Sequence, residues 1–347
     1  MTQLDPHPRP SAPTDAPGRP RLSVIVPVRD ELPRLPAVLA MIEGQTLEPD
    51  EVVVADGRST DGTRAWLAAA ALTRPWLRIV DNPAQHVPAA LNVALAASTG
   101  DVVARMDAHA VYARDYLAQV VGRLAAQPEV VGVGGMMATE GRGAWGRAIA
   151  ATLSRPFGLG GAAHRVGGGG GPVPHVFSGC YRRDALVAAG GWDERLRANE
   201  DFEAEVRLRA AGGQLWLEPA ATSTWYVRES LPRLAEQMWR YGWYKALTVW
   251  LHPASLLPRQ TVAPALVAGL VIATAVRPPA GVALSAAYLT AAGALGARAA
   301  RADGASALRG ALVPAVVHLA WGAGALAGAV AHPVRGRTRG GAVRPQR

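Results

Sequence analysis

Between residues 21 and 133, short apolar runs alternate with stretches of helical period. Leu22 to Val26, Glu51 to Ala55, Leu77 to Val80 and Val102 to Met106 are rich in Val, Ile and Leu and read as buried strands. Pro33 to Gln45, Thr63 to Leu72 and Val87 to Ala97 read as the helices between them. Strand and helix in alternation predict an α/β domain with a parallel, helix-covered sheet. Ligands bind such sheets beyond the carboxyl ends of the strands.

The pattern changes near Leu256. Uncharged runs lie between Arg259 and Arg277, between Arg277 and Arg298, and between Arg309 and Arg335, broken only by His318 and His332. A membrane-crossing helix needs about 20 mostly apolar residues. The second and third runs meet that requirement and the first sits at its margin. Gly269, Gly296, Gly322 and Gly324 suit close helix packing in lipid. Just before these runs, Leu231 to Trp250 gathers Trp239, Tyr241, Trp243, Tyr244 and Trp250 with Arg233, Arg240 and Lys245. That mixture describes either an amphipathic helix at a membrane interface or an aromatic core helix.

The expected organisation is therefore a disordered proline-rich tail (1–20), an α/β domain (21–230), an aromatic interface helix (231–258), a membrane region of two or three helices (259–334) and a basic tail (335–347). The glycine-rich stretch 158–172 reads as a mobile loop, either a lid or a tolerated insertion. With the α/β domain on the cytoplasmic face, Arg298, Arg301 and Arg309 obey the positive-inside tendency. The C-terminal arginines violate it if all three runs span. A first segment lying in the interface would resolve this.

Composition narrows the class. Charged residues are 18% and hydrophobic ones 50% of the 347, so the chain is charge-poor and global disorder is excluded. A single cysteine, Cys180, excludes an intramolecular disulfide and a thiolate metal cluster. The net charge is +9, nearly all of the base being arginine. No basic stripe interleaves with aromatics, so no nucleic-acid partner is expected. An anionic membrane surface or a phosphorylated substrate fits the charge.

Candidate chemistry sits at the strand ends. They read Pro27-Val28-Arg29-Asp30-Glu31, Asp56-Gly57-Arg58-Ser59-Thr60-Asp61-Gly62-Thr63 and Arg105-Met106-Asp107-Ala108-His109. Each has an ordinary structural use, since Ser59 or Asp61 can cap a helix and Asp-Gly makes turns. Three polar tips on one sheet edge describe a site. Arg182 and Arg183 either meet phosphate or pair with nearby acids.

The segments LSVIVPVRDE, VVVADGRSTDGT, VVARMDAHA, SGCYRRDAL, GGWDERLRANEDFEAEVRLRAAGG and QMWRYGWYK, in this order, resemble the family 2 glycosyltransferases. They look most like the exopolysaccharide branch that includes the succinoglycan glucosyltransferases. The resemblance covers about residues 21 to 250. It implies a GT-A fold, Rossmann-like with a mostly parallel sheet, followed by transmembrane helices. It implies a nucleotide-sugar donor, a UDP-sugar, and a lipid-linked or polymeric glycan acceptor. It also implies a divalent cation, Mn²⁺ or Mg²⁺, which neutralises charge released onto the diphosphate.

By the same resemblance Asp107 contacts ribose or metal, and His109 stands where a second carboxylate is common. Asp56 contacts the nucleoside, while Pro27, Arg29 and Glu31 line base and ribose. Asp201 is the general base that deprotonates the acceptor hydroxyl. Glu200 and Asp201 are adjacent in a helix and face different ways, so one of them reaches the acceptor. A single displacement predicts inversion. Gln237, Arg240 and Tyr241 resemble a Gln-x-x-Arg-Trp motif with Tyr for Trp, serving donor diphosphate or acceptor. Asp30 replaces the usual Asn. The stretch Pro172 to Val176 lacks the acidic residue common in the exopolysaccharide branch, so acceptor specificity does not carry over. The implied activity is inverting glycosyl transfer at a cell membrane. The alternatives are transfer to polyprenyl phosphate and a non-catalytic nucleotide-sugar sensor.

Overall fold

The computed structural model describes residues 19–338, with side chains to His332. The tails expected at 1–20 and 335–347 fall almost wholly outside the described residues. In chain order the first half contains β1 (Leu22–Val28), α1 (Leu35–Glu43), β2 (Glu51–Asp56), α2 (Thr63–Ala71), β3 (Leu77–Asp81), α3 (Val87–Ala97), β4 (Val102–Arg105), β5 (Ala110–Tyr112), α4 (Tyr116–Ala126) and β6 (Val130–Glu140). Then follow α5 (Gly143–Leu153), α6 (Pro156–Leu159), α7 (Ala163–Val166), β7 (Gly171–Pro172), β8 (Cys180–Arg182), α8 (Arg183–Ala188), α9 (Glu200–Ala210), β9 (Gln214–Tyr226) and α10 (Leu231–Leu251). Three apolar helices close the chain: α11 (Val262–Val276), α12 (Pro278–Ala302) and α13 (Ala307–Thr338).

The strands form one sheet in the order β3-β2-β1-β4-β8-β6-β9-β5, with β7 pairing to β9. The four strands read from sequence are parallel neighbours. β8 runs antiparallel between β4 and β6, and β6 is parallel to β9. The result is a mostly parallel mixed sheet. Alternate residues serve opposite faces, as the pleat requires. Val24, Val26, Val52 and Val54 pack with Leu35, Leu39 and Ile42 of α1. Ile25, Val53 and Ala55 pack on the other face with Leu91 and Ala94 of α3. This two-sided burial explains why these strands read as continuous apolar runs.

The glycine-rich stretch is partly regular. It contains α6 and α7, and β7 ties its end to β9 through Gly171 opposite Leu217. A third cluster joins α5, α10 and α13 through Ile149, Leu153, Leu234, Met238, Val313 and Val317. Pro258–Val276, Pro278–Ala302 and Ala307–His332 are each long and apolar enough to cross a membrane. No residue in the first's most apolar window is buried, whereas 39% of the third's is buried within the protein.

Candidate active site

The polar strand tips are laced together. Asp30 adopts left-handed backbone geometry (φ 53°). Its N–H donates to Ser59 Oγ at 2.8 Å, and its Oδ1 accepts from the Thr60 N–H at 2.7 Å. The Leu32 N–H donates to Asp61 at 3.0 Å, and that of Glu31 to Thr63 Oγ1 at 2.9 Å. Beyond these tips lies an open cleft of about 480 Å³. Pro27, Arg29, Glu31, Asp107, His109, Glu200, Asp201, Gln237, Arg240 and Tyr241 all line it. Asp56 does not. It is fully buried under the β2 tip, where Oδ1 accepts from the Ser59 hydroxyl at 2.6 Å and Oδ2 lies 3.5 Å from the Arg64 guanidinium.

The centre of the cleft is a residue that sequence reasoning passed over. Arg105 ends β4 with its side chain 8% exposed. Its Nε and Nη2 donate to the two oxygens of Asp107 at 2.8 and 3.1 Å. Its Nη1 reaches Glu200 at 3.0 Å and Asp201 at 2.7 Å. Asp201 Oδ1 also accepts from the Trp192 indole N–H at 2.8 Å. The available signal was one arginine closing an otherwise apolar buried strand, since an isolated charge there needs partners. Burial opposes the guanidinium's charge, but Asp107, Asp201 and Glu200 outweigh it and hold Arg105 protonated. Glu200 moves the other way. Burial and the neighbouring Asp201 raise it against the pull of Arg105.

Glu200 and Asp201 therefore do not face apart. Both lie in the first turn of α9. One guanidinium, that of Arg105, gathers both. Asn199 sets the entry to that turn in left-handed geometry (φ 63°), and its side chain donates to the Tyr241 carbonyl at 3.0 Å. This bond docks α10 on the acidic turn. On α10, Gln237 donates to the Tyr241 hydroxyl at 3.1 Å, while the buried Nε of Arg240 has no hydrogen-bond partner.

His109 meets Glu31 at 2.9 Å and is 59% exposed. Burial would raise Glu31, but His109 and Arg34 more than offset it and lower its pKa. Among the described residues, no three or more His, Cys, Asp or Glu side chains form a metal cluster. Asp107 and His109 supply one carboxylate and one imidazole at the open cleft. That set fits Mg²⁺ or Mn²⁺ completing its shell with phosphate oxygens, and does not fit a closed protein cage. Arg182 is turned to the backbone. It donates to the carbonyls of Val130, Leu124 and Gln127 at 2.9, 2.6 and 3.1 Å. Cys180 is buried, and burial pushes its thiol up to about 12.

A doubly wound sheet carrying carboxylates and arginines at its strand ends, with an acidic helix start opposite, defines a GT-A glycosyltransferase. The profile of Glycosyl transferase family 2 matches residues 23–188. The succinoglycan biosynthesis protein ExoA of Rhizobium meliloti (strain 1021) is 33% identical over 236 residues, covering 67% of this chain and 71% of that protein. The chain belongs to glycosyltransferase family 2. Its fold is also similar to the mannosyltransferase PcManGT from Pyrobaculum calidifontis, solved in complex with GDP-Man and Mn²⁺. That likeness has a TM-score of 0.60 at 24% identity and covers 90% of both chains.

Proposed function

We propose that this glycosyltransferase is membrane-associated and inverting, and that it moves a sugar from a nucleotide diphosphate, a UDP-sugar, to a lipid-linked or polymeric glycan in exopolysaccharide or cell-surface glycan synthesis. The observation that carries this reading is Arg105, which ties the β4 carboxylate Asp107 to the helix carboxylates Glu200 and Asp201 across one cleft. It holds a donor-side and an acceptor-side acid at a fixed separation, which is what positioning for a single displacement requires.

In this reading Pro27, Arg29 and Glu31 receive the base and ribose, with Asp56 bracing the β2 tip beneath them. Asp201 takes the proton from the acceptor hydroxyl. Arg240, whose Nε is unpaired, meets the donor diphosphate with a forked set of donors. Gln237 and Tyr241, bonded to each other in the cleft wall, serve the donor diphosphate or the acceptor. Asp107 and His109 would hold a divalent cation. Its charge would offset the charge released on the departing diphosphate. The apolar helices and the aromatic α10 favour a lipid-borne acceptor and a domain on the cytoplasmic face of the cell membrane.

The test incubates the detergent-solubilised protein with a panel of nucleotide sugars and Mn²⁺, and measures released nucleoside diphosphate. One donor should give release that EDTA abolishes. Asp201→Asn should lower release by at least a hundredfold, the span of general-base contributions, while nucleotide affinity stays within twofold. Full release from Asp201→Asn would remove that residue from the base role.

A further inference from the structure

One buried acid in α9 has no part in the reaction described above. Glu205 lies one turn past Asp201 and is fully buried. Three donors converge on it: His175 Nδ1 at 2.6 Å, the Tyr181 hydroxyl at 2.8 Å and the Val176 N–H at 3.3 Å. A carboxylate is expensive to bury, and this one is satisfied so fully that His175 is held in one orientation. His175 itself is 28% exposed and lines the cleft. With Nδ1 committed to Glu205, Nε2 is the nitrogen left for a ligand.

Flat rings surround it. The Phe202 ring centroid is 5.7 Å away and that of His164 is 5.4 Å away, with Phe177 stacked on His164 at 6.3 Å. Phe177, half-buried, lines the same cleft, and an apolar ring with one fixed polar atom suits a sugar, which presents an apolar C–H face edged with hydroxyls. His175 also lies on the segment between β7 and β8. It belongs to the half of the cleft built with α9, where Asp201 sits.

We propose that His175, clamped by Glu205, binds the acceptor sugar by donating a hydrogen bond from Nε2 to a hydroxyl next to the one that attacks. This rests on Asp201 marking the acceptor side. The charged and titratable groups around the ring are Glu205 and Asp201 on α9, His164 and Arg165 on α7, and Tyr181 of β8 through Glu205. Burial disfavours the imidazolium, but Glu205 and Asp201 outweigh burial and Arg165 and raise His175. The proton on Nε2 is thereby kept above the ordinary histidine range. Glu205 is a positioning residue.

The test uses the full chain in a detergent without sugar headgroups, with n-octyl glucoside, galactoside and mannoside as acceptor probes. His175→Leu and Glu205→Gln should raise the acceptor KM about tenfold, the effect of one lost hydrogen bond. Donor KM and acceptor-independent donor hydrolysis should stay within twofold. His175→Gln, whose amide still donates, should recover most of the loss. Acceptor KM should rise with pH in the wild type and stay flat in His175→Gln. In a second measurement, ¹⁵N imidazole NMR of the eight histidines identifies the His175 signal by its loss in His175→Gln. An octyl glycoside should move that signal, and saturating UDP with Mn²⁺ should not. An equal loss of donor hydrolysis, or no shift with any of the three glycosides, overturns the proposal. Transfer surviving in Asp201→Asn overturns the base assignment and leaves the glycoside-induced shift standing, so the two failures are distinguishable.

Discussion

Arg105 shows how much of a cleft can hang on one side chain. Removing one partner of a buried ionic network leaves the others uncompensated and costs about 3–5 kcal/mol. Arg105→Gln should destabilise the protein by that order in denaturant titration and abolish diphosphate release. Arg105→Lys keeps the charge without the fork, so it should recover stability in part and activity little. Lys245 makes a separate, pH-dependent prediction. Its ammonium sits over the Phe202 ring at 3.4 Å with no hydrogen-bond partner, and burial, then Arg259 and Arg209, push it down to about 7. Above pH 7 the native amine is neutral, while the unfolded chain keeps its proton to about pH 10.4. The unfolded state then binds more protons, so stability should rise from pH 7 towards 10, by at most about 1.4 kcal/mol per unit. Lys245→Met should be more stable at pH 7 and lose that slope. The cleft residues on strand tips were legible because strand ends announce themselves. Arg105 and Glu205 were not, because their roles depend on partners that are 95 and 30 residues away in the chain.

At the scale of elements, the first four strands and three helices were readable because each is buried on a regular period. β6 was not. Its run Val130–Glu140 carries Gly132, Gly134 and Gly135, which a sequence reading takes as breaks. Each is required by a neighbour: a Cβ on Gly132 would meet the Tyr181 ring, one on Gly134 would meet Val176, and one on Gly135 would meet the Ala221 backbone. The aromatic helix α10 has one buried face and one exposed face. Gln237, Met238 and Lys245 are buried, while Trp239 and Trp250 are 43% and 46% exposed. α10 packs against α13 through glycines. A Cβ on Gly242 would collide with the Trp321 carbonyl, and one on Gly324 with that of Trp239. Gly242→Val should therefore lower stability in detergent by about 1–3 kcal/mol, the usual cost of overpacking. Gly269→Ala is its control, because a Cβ there meets nothing within 4 Å.

For the whole molecule, the three apolar helices are not equivalent. α11 and α12 are joined at Arg277 and form a hairpin. Its return end sits beside the catalytic domain, where Arg155 pairs with Asp303 at 2.7 Å. α13 instead runs along the domain. Arg309 lies over Trp145, His318 bonds the Phe157 carbonyl at 2.6 Å, and His332 bonds that of Trp243 at 3.1 Å. α13 thus contacts α5, α6 and α10 along its length. We expect α11 and α12 to cross and return while α13 lies against the domain, which removes the conflict raised by the C-terminal arginines. Ala305→Cys and Ala331→Cys should then both react with an impermeant maleimide from the catalytic side only, the native Cys180 being buried. Opposite-sided reaction would make α13 a true span.

The chain's own order of apolar and polar positions determined the parallel half of the sheet, the polar tips at its edge and the apolar C-terminal third. These depend on local period and on runs that a short window contains. Tertiary structure alone decided that Arg105 joins three carboxylates, that Asp56 lies beneath the cleft rather than on it, that Glu205 fixes His175, and that α13 covers α10. Each of these is a meeting of segments far apart in sequence, set by packing and by the need of buried charges to find partners. No local pattern encodes that.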